Sequence, residues 1–222
     1  TMMSKDGRWL LLRKCDYMPS DTGESTPKNG ILLFDLRNAH RSGCAAVREM
    51  VNAAAFAGNT HLLLSTSDKT ELFDLKKYTS IYFNGAIEFK VIENTDLFIL
   101  HYNEEGKYRL ELRDLNGSLL NVINDVSRFY VNGNGNIYAI IKTEKNEYEV
   151  YILNRKAPEK IYGTHNEIIS ITPDAGETGM MVFEKDSTKC LWDVLYLEFK
   201  TGRRFSLNDI LNINAVNAFS EA

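Results

Sequence analysis

A short phrase recurs along this chain at nearly even spacing. Phe34-Asp35-Leu36 is followed 39 residues later by Phe73-Asp74-Leu75, and Arg113-Asp114-Leu115 lies 40 residues beyond that. Leu153-Asn154-Arg155 comes after a further 40 residues. Each copy ends an apolar run and is followed by a turn and one more short run. A repeat of about 40 residues that is filled with short strands indicates a β-propeller.

The runs within each repeat predict the blades. From Ala53 onward, each repeat holds four short apolar runs bounded mostly by Gly, Asn or Asp, as antiparallel hairpins require. Apolar and polar residues alternate clearly in residues 108–112 and 148–152. The predicted fold class is therefore all-β, a propeller or partial propeller of about five four-stranded antiparallel blades. One domain of residues 1–222 is expected, with blades at approximately 1–51, 52–85, 86–126, 127–166 and 167–209.

The first repeat departs from this pattern, because it shows only three runs and no innermost strand. The runs are residues 8–15, 31–36 and 45–51, and the polar residues 16–30 between the first two predict a long surface loop. A short helix over residues 45–56 is the alternative for the third run, since its alanine content permits one.

The end of the chain bears on whether the ring closes. Residues 216–219 resemble residues 51–56, which open the second repeat. The tail is therefore expected either to supply the innermost strand that the first repeat lacks, or to be a loose or truncated terminus.

Composition excludes some classes of protein. The chain has 222 residues, of which 44% are hydrophobic and 25% charged, as in ordinary globular domains. A net charge of −4 gives no basic surface for nucleic acid, and no apolar run approaches the roughly 20 residues that span a bilayer. The cysteines Cys15, Cys44 and Cys190 fit best as small buried hydrophobes. A Cys15–Cys44 disulfide stays open, because sequence gives no distance between them.

Two phrases resemble a known family. Ser4-Lys5-Asp6-Gly7-Arg8-Trp9-Leu10 resembles the turn between the first two blade strands of TolB-like propellers and of the N-terminal propeller of prolyl oligopeptidase-family peptidases. Ile171-Thr172-Pro173-Asp174-Ala175-Gly176 is similar to a degraded copy of this turn. The Phe-Asp-Leu phrases are similar to the end of the third blade strand in such propellers. This resemblance implies a non-catalytic domain that limits substrate access to an α/β-hydrolase domain in the same full-length chain.

The sequence also departs from that family. It contains no Gly-x-Ser-x-Gly motif, so no catalytic activity and no cofactor are expected for this chain. It has about five predicted blades, whereas the family has seven or eight. The resemblance further implies a periplasmic or secreted protein whose signal peptide is missing from this sequence, since Thr1-Met2-Met3-Ser4-Lys5-Asp6 lacks an apolar segment. The alternative is a stand-alone module that binds a protein or glycan partner through loops such as residues 16–30.

The first strand of each blade lines the central channel of a propeller, so polar residues there are the candidate site. Period-two alternation directs some of them into the channel, where mixed charges would bind the termini of a peptide or face channel water. The candidate channel-lining residues are Glu88, Lys90, Arg128, Tyr130 and Ser170.

Other residues are assigned structural roles. The histidines His40, His61, His101 and His165 are scattered without metal-ligand spacing, so no metal site is predicted. Asp35, Asp74 and Asp114 recur at one position of the repeat. These carboxylates are expected to accept hydrogen bonds from the backbone amides of the turn that follows.

Overall fold

Five antiparallel sheets make up the protein. The computed structural model describes residues 1–19, 25–38, 46–104, 107–132, 135–153, 157–186, 191–207 and 209. In these residues, 20 strands form five four-stranded sheets, and each sheet contains four strands that are consecutive in sequence. The predicted all-β fold, a partial propeller of about five four-stranded blades, is confirmed. The chain divides into two compact units, Thr1–Val122 and Ile123–Ala222.

The first unit contains three sheets. Sheet 1 is formed by β1 (Met2–Met3), β2 (Trp9–Pro19), β3 (Ser25–Asp35) and β4 (Ala46–Glu49), with a 3-10 turn at Leu36–Asn38. Sheet 2 is formed by β5 (Ala53–Ala57), β6 (His61–Ser65), β7 (Lys69–Asp74) and β8 (Thr79–Asn84). Sheet 3 is formed by β9 (Ala86–Ile92), β10 (Leu97–Glu104), β11 (Lys107–Asp114) and β12 (Leu119–Ile123), the last of which ends at the boundary of the unit.

The second unit contains two sheets. Sheet 4 is formed by β13 (Val126–Val131), β14 (Ile137–Lys142), β15 (Tyr148–Leu153) and β16 (Glu159–Thr164). Sheet 5 is formed by β17 (Glu167–Pro173), β18 (Gly179–Asp186), β19 (Leu191–Glu198) and β20 (Arg204–Ser206). In every sheet the first strand in sequence lies at one edge and the fourth at the other.

The first blade has its innermost strand, contrary to the prediction from sequence. Strand β1 holds the edge position of sheet 1, where Met2 lies opposite Leu11 and Met3 opposite Leu10. A strand of two residues is too short to register as an apolar run, which is why the sequence pattern did not show it. The proposed role of residues 216–219 as a replacement strand lies outside the described residues.

The expectation of a long loop over residues 16–30 is also wrong for the described residues 16–19 and 25–30, which are strand. Strands β2 and β3 pair continuously from Trp9 opposite Asp35 to Pro19 opposite Ser25. Strand β4 pairs with β3 only as far as Glu49 opposite Gly30, so the outer part of the β2–β3 hairpin is a two-stranded ribbon. The ribbon residues 16–19 and 25–29 are mostly polar, so the sequence lacks the apolar alternation by which a strand is recognised.

The helix alternative for residues 45–56 is wrong as well, because β4 and β5 cover most of that segment. Alanine permits a helix, but pairing of β4 with β3 and of β5 with β6 prevails over intrinsic propensity. The open question of a Cys15–Cys44 bridge falls on Cys44, which lies outside the described residues, as does His40.

Neighbouring sheets within each unit pack face to face. In the first unit, Trp9, Leu11 and Leu33 of sheet 1 form one buried cluster with Leu62, Leu64 and Phe73 of sheet 2. The opposite face of sheet 2 packs on sheet 3 through Leu63, Leu72, Phe98 and Leu100. In the second unit, sheets 4 and 5 share a cluster that includes Tyr138, Ile140, Met180 and Val182. Complete burial of each such side chain contributes about 1.5–3 kcal/mol, so these interfaces provide most of the stability.

The repeated aspartates have the role that their position predicts. Asp74 Oδ1 accepts hydrogen bonds from the amides of Lys76 and Lys77, at 2.8 and 3.0 Å. Asp114 Oδ1 accepts from the amides of Asn116 and Ser118, both at 2.9 Å. Each carboxylate thus orders the turn between the third and fourth strands of its blade, which confirms the prediction.

The first copy of this aspartate has an additional partner. Asp35 accepts one hydrogen bond from the Arg37 amide at 3.1 Å and two from the Arg8 guanidinium, at 3.1 and 2.7 Å. The hydrogen bonds from Arg8 hold the pKa of Asp35 below its ordinary value, although burial opposes them. Arg8 belongs to the Ser4–Leu10 phrase, so the two sequence motifs of the first blade meet at this ion pair.

Candidate binding groove

A groove of about 900 Å³ lies among the first strands of the three sheets in the first unit. Because β1, β5 and β9 are edge strands, each presents backbone N–H and C=O groups along one side. The lining residues come from these strands and the turns that follow them, and they are Met2, Met3, Lys5, Ala55, Phe56, Gly58, Phe89, Lys90, Val91, Ile92, Glu93, Asn94, Thr95 and Asp96.

The turn after β1 forms one side of the groove. The Ser4 hydroxyl accepts a hydrogen bond from the Trp9 amide at 2.9 Å and donates one to Asp6 Oδ1 at 2.7 Å. Gly7 has a φ of 67°, in the left-handed region that glycine adopts without steric cost, and its amide donates to the Ser4 carbonyl. The hydrogen bond from Ser4, with a further one from the Arg8 amide, lowers the pKa of Asp6. Hydrogen bonds within the Ser4–Leu10 phrase therefore hold this turn in one conformation.

Two hydrogen bonds connect this turn to the neighbouring blades. The Lys5 ammonium donates to Asn94 Oδ1 at 2.8 Å, which joins sheet 1 to the β9–β10 turn of sheet 3. The Asp6 amide donates to Asn59 Oδ1 at 3.2 Å, which joins it to the β5–β6 turn of sheet 2. Three turns are thereby held at one end of the groove, so its opening is largely preformed.

The chemistry of the lining suits binding of a chain with both apolar and charged groups. Half-buried Phe56 and Phe89 supply apolar walls, while Lys90, Glu93 and Asp96 are exposed. The described lining residues include no His, Cys, Ser or Tyr. Thr95 is the one lining residue among them that has a hydroxyl group, and none of them supplies a thiol nucleophile or an imidazole base. Thr95 Oγ1 donates to the Ile92 carbonyl at 2.9 Å, which commits that hydroxyl to the turn.

Two of the five candidate channel residues lie on β9. Lys90 lines the groove, and its side chain is exposed. Glu88 does not belong to the groove lining, and its carboxylate lies 3.7 Å from Nδ1 of His101 on β10. Burial lowers the pKa of His101, while the Glu88 carboxylate opposes that shift.

The other three candidate residues lie in the second unit. Arg128 of β13 donates from its guanidinium to the Ile169 carbonyl of β17, so it joins the first strands of sheets 4 and 5. Tyr130 is half-buried and packs against the core of sheets 4 and 5. Ser170 is half-buried and lies opposite Phe183. That these residues line a common channel with Glu88 and Lys90 stays a prediction.

A second, smaller cavity of about 280 Å³ lies on the outer strands of the second unit. Its lining includes Glu149 and Lys160, which already pair with each other, and that hydrogen bond holds the pKa of Glu149 below its ordinary value. Because Glu149 and Lys160 already bind each other, neither charge is free to bind a ligand, and this cavity is a weaker candidate than the groove among the first strands.

Most of the groove residues were missed by reasoning from sequence. Met2 and Met3 were missed because β1 was not predicted. Asn94 and Asp96 were assigned only to the turn that separates two strands. The signal that could have found them is the Ser4–Leu10 phrase, because a rigid turn after the innermost strand places Lys5 at the opening of the groove.

Further findings concern metals and membranes. Within the described ranges, no group of three or more His, Cys, Asp and Glu side chains is placed to hold a metal ion. The helical segments in the described part of the chain are all too short or too polar to cross a bilayer.

Comparison with known proteins adds to the fold assignment. No protein-family model matches the chain, and no curated protein matches its sequence. The chain is similar in structure to the β-propeller domain of the trilobed protease from Pyrococcus furiosus, with a TM-score of 0.52 and 11% identity over 93% of this chain and 69% of that one.

The chain is also similar to acylaminoacyl peptidase from Pyrococcus horikoshii. The uncomplexed form gives a TM-score of 0.50 and 9% identity over 92% of this chain, and the orthorhombic form a TM-score of 0.48. This chain spans 38% of the length of that peptidase. The two likenesses with TM-scores of 0.50 and 0.52 support a β-propeller fold.

Proposed function

We propose that this chain is a non-catalytic propeller module that binds an extended peptide in the groove among β1, β5 and β9. Its wider role is to limit substrate access to an α/β-hydrolase domain, as the resemblance to prolyl oligopeptidase-family propellers implies. Two proteins of similar fold, the trilobed protease and the acylaminoacyl peptidase, are named as peptide-cleaving enzymes, which supports this role.

The observation that carries the proposal is the meeting of three edge strands around one groove. An extended peptide forms main-chain hydrogen bonds with an exposed strand edge, while neighbouring pockets select its side chains. Phe56 and Phe89 would contact apolar side chains of the peptide. Lys90, whose ammonium is exposed, would bind a carboxylate, and the C-terminus of a peptide supplies one.

Fluorescence anisotropy with labelled eight-residue peptides tests this proposal. The peptides alternate Leu or Val with Ser, and each is made with a free or an amidated C-terminus. The free-acid peptides are expected to bind, and Lys90→Glu is expected to weaken them at least about tenfold, equivalent to about 1.4 kcal/mol. Lys145→Glu, at an exposed turn of the second unit, is the matched control. Absence of binding, or equal affinity in both variants, would overturn the proposal.

The gating role has its own test. A hydrolase domain with a Gly-x-Ser-x-Gly motif in the same reading frame would support it, and a stop codon close to Ala222 would argue against it. Dipeptidyl substrates are expected to show no turnover with this chain alone. Measurable turnover that survives repurification would refute the non-catalytic assignment.

The second candidate function is a stand-alone module that binds a protein or glycan partner, and the β2–β3 ribbon favours it. These strands are 11 residues long, whereas the other strands have at most eight. A ribbon that extends past the end of its sheet offers backbone edges on both sides. Deletion of residues 16–28 with a two-residue Asn-Gly turn in their place would abolish partner binding under this hypothesis and leave peptide binding in the groove intact.

A further inference from the structure

Sheets 1 and 5 each have one apolar face that is less buried than the faces that pack together within each unit. The far face of sheet 1, opposite its packed face, carries Leu10, Leu12, Leu32 and Phe34, all half-buried. Its packed face carries Trp9, Leu11, Ile31 and Leu33, whose exposed fractions are 0–2%. Sheet 1 therefore has two apolar faces, and the structure buries one of them.

Comparison of the Phe-Asp-Leu repeats in sheets 1 and 2 indicates which kind of surface matches the far face of sheet 1. Phe73 lies opposite Leu62 in sheet 2, and both are buried against sheet 1. Phe34 occupies the same place in the Phe-Asp-Leu phrase and lies opposite Leu10 in sheet 1. The Leu10–Phe34 pair is thus the first blade's copy of a pair that, in the second blade, is covered by the preceding sheet.

The far face of sheet 5, opposite the face that packs on sheet 4, is also apolar and incompletely buried. It carries Met181 opposite Tyr196 and Phe183 opposite Val194, all four half-buried, with Phe205 41% exposed beside Tyr196. In sheet 4, the corresponding pair on the face toward the following sheet is Ile140 and Val150, and both are 0% exposed. Sheet 5 therefore carries a face of the kind that contacts a following blade.

We propose that these two faces bind each other between copies of the chain, with sheet 5 of one copy on sheet 1 of a second. In each interface within the units, the following-side face of one sheet meets the preceding-side face of the next. One chain carries both halves of such an interface, so the occupant that matches the far face of sheet 1 is a second copy. A head-to-tail contact of this kind uses two different surfaces and produces open chains unless its rotation closes a ring.

Sedimentation velocity and light scattering test the proposal directly. The mass of the wild-type protein is expected to rise above that of one chain as its concentration increases, without a fixed upper limit at a dimer. Leu12→Lys and Phe183→Lys each block one face and are expected to reduce self-association at least tenfold. Val122→Lys, at an apolar position of β12 that is 39% exposed, is the matched control and is expected to associate as the wild type does.

Mixing the two blocked variants distinguishes a head-to-tail contact from a symmetric one. Each variant keeps the face that the other has lost, so the mixture is expected to form a one-to-one complex that grows no further. Leu12→Asn and Phe183→Asn replace the lysine variants if circular dichroism shows that those are unfolded. A wild-type protein that stays at the mass of one chain at all concentrations would overturn the proposal. So would a mixture that fails to associate while the wild type does.

Discussion

Arg48 of β4 and Glu71 of β7 join sheets 1 and 2 through three hydrogen bonds. The Arg48 Nε lies 3.0 Å from Glu71 Oε2 and 3.2 Å from Oε1, and its Nη2 lies 2.9 Å from Oε1. The Ser80 hydroxyl donates to the same carboxylate at 2.5 Å. The Glu71 side chain is 8% exposed, so the ionised carboxylate depends on these donors for its solvation.

Replacement of Arg48 by Met is expected to destabilise the protein by about 2–3 kcal/mol, because it leaves the Glu71 carboxylate buried without its cation. The expected loss of unfolding free energy is smaller than for a fully buried ion pair, because the Arg48 side chain is 32% exposed. Urea denaturation gives the free energy of unfolding. Arg37→Met, which removes an exposed arginine 3.7 Å from Asp6, is the control and should cost no more than about 0.5 kcal/mol. Equal losses in the two variants would contradict the prediction.

The same pair predicts a dependence of stability on pH. Burial alone would raise the pKa of Glu71, but hydrogen bonds from Arg48 and Ser80 and the charge of Arg48 together hold it below its ordinary value of 4.5. The stabilisation is therefore present above the pKa of the unfolded chain and is lost as pH falls through the lowered pKa of the folded state. The difference in unfolding free energy between wild type and Glu71→Gln should narrow below about pH 4.5. A constant difference for Glu71→Gln across this pH range would disprove the prediction.

Replacement of Asp114 by Ala is expected to cost about 1 kcal/mol, because the amides of Asn116 and Ser118 lose their acceptor. Asp114→Asn keeps one side-chain oxygen at the same place and should cost less. Thermal denaturation of both variants measures the difference. Glu144→Ala controls for removal of an acidic side chain from a turn. If the Ala and Asn variants are equally destabilised, the carboxylate acts by charge rather than by ordering the turn.

Replacement of Gly179 by Ala is expected to destabilise sheet 5 by about 2 kcal/mol or more, since a Cβ there would lie 2.4 Å from the Leu197 carbonyl oxygen. The contact is with backbone, so β18 and β19 would have to separate to relieve it. Gly202→Ala is the matched control: its φ of 67° is unfavourable for alanine, but no atom lies within 4 Å of the new Cβ. That variant should cost only about 1 kcal/mol. Hydrogen exchange in β18 and β19 should increase in the Gly179 variant alone.

Much of the fold was predictable because each blade repeats a local pattern. The strands of sheets 2 to 5 follow from apolar runs separated by Gly, Asn and Asp. The recurrence of an aspartate at one position of the repeat, as at Asp74, predicts the hydrogen bonds that this side chain accepts from the next turn. The first blade was the exception. Strand β1 is two residues long, and the ribbon residues 16–19 and 25–29 are mostly polar, so neither segment carries the alternation by which strands are recognised.

The site was predictable only in part. Alternation along β9 identifies both Glu88 and Lys90 as polar residues of a first strand, yet Lys90 lines the groove and Glu88 pairs with His101. Sequence gives no distance between strands, so it could not show that β1, β5 and β9 approach one another or that Lys5 contacts Asn94. Those relationships depend on packing between sheets, which a pattern along one strand does not contain.

Each sheet is assembled from four strands that follow one another directly in the chain. Almost all strand pairing is therefore local, and such low contact order favours rapid folding in which a blade completes its hydrogen bonds as soon as its own residues are available. A gene of this design can gain or lose one blade of about 40 residues by duplication or deletion without leaving a strand in any other blade unpaired.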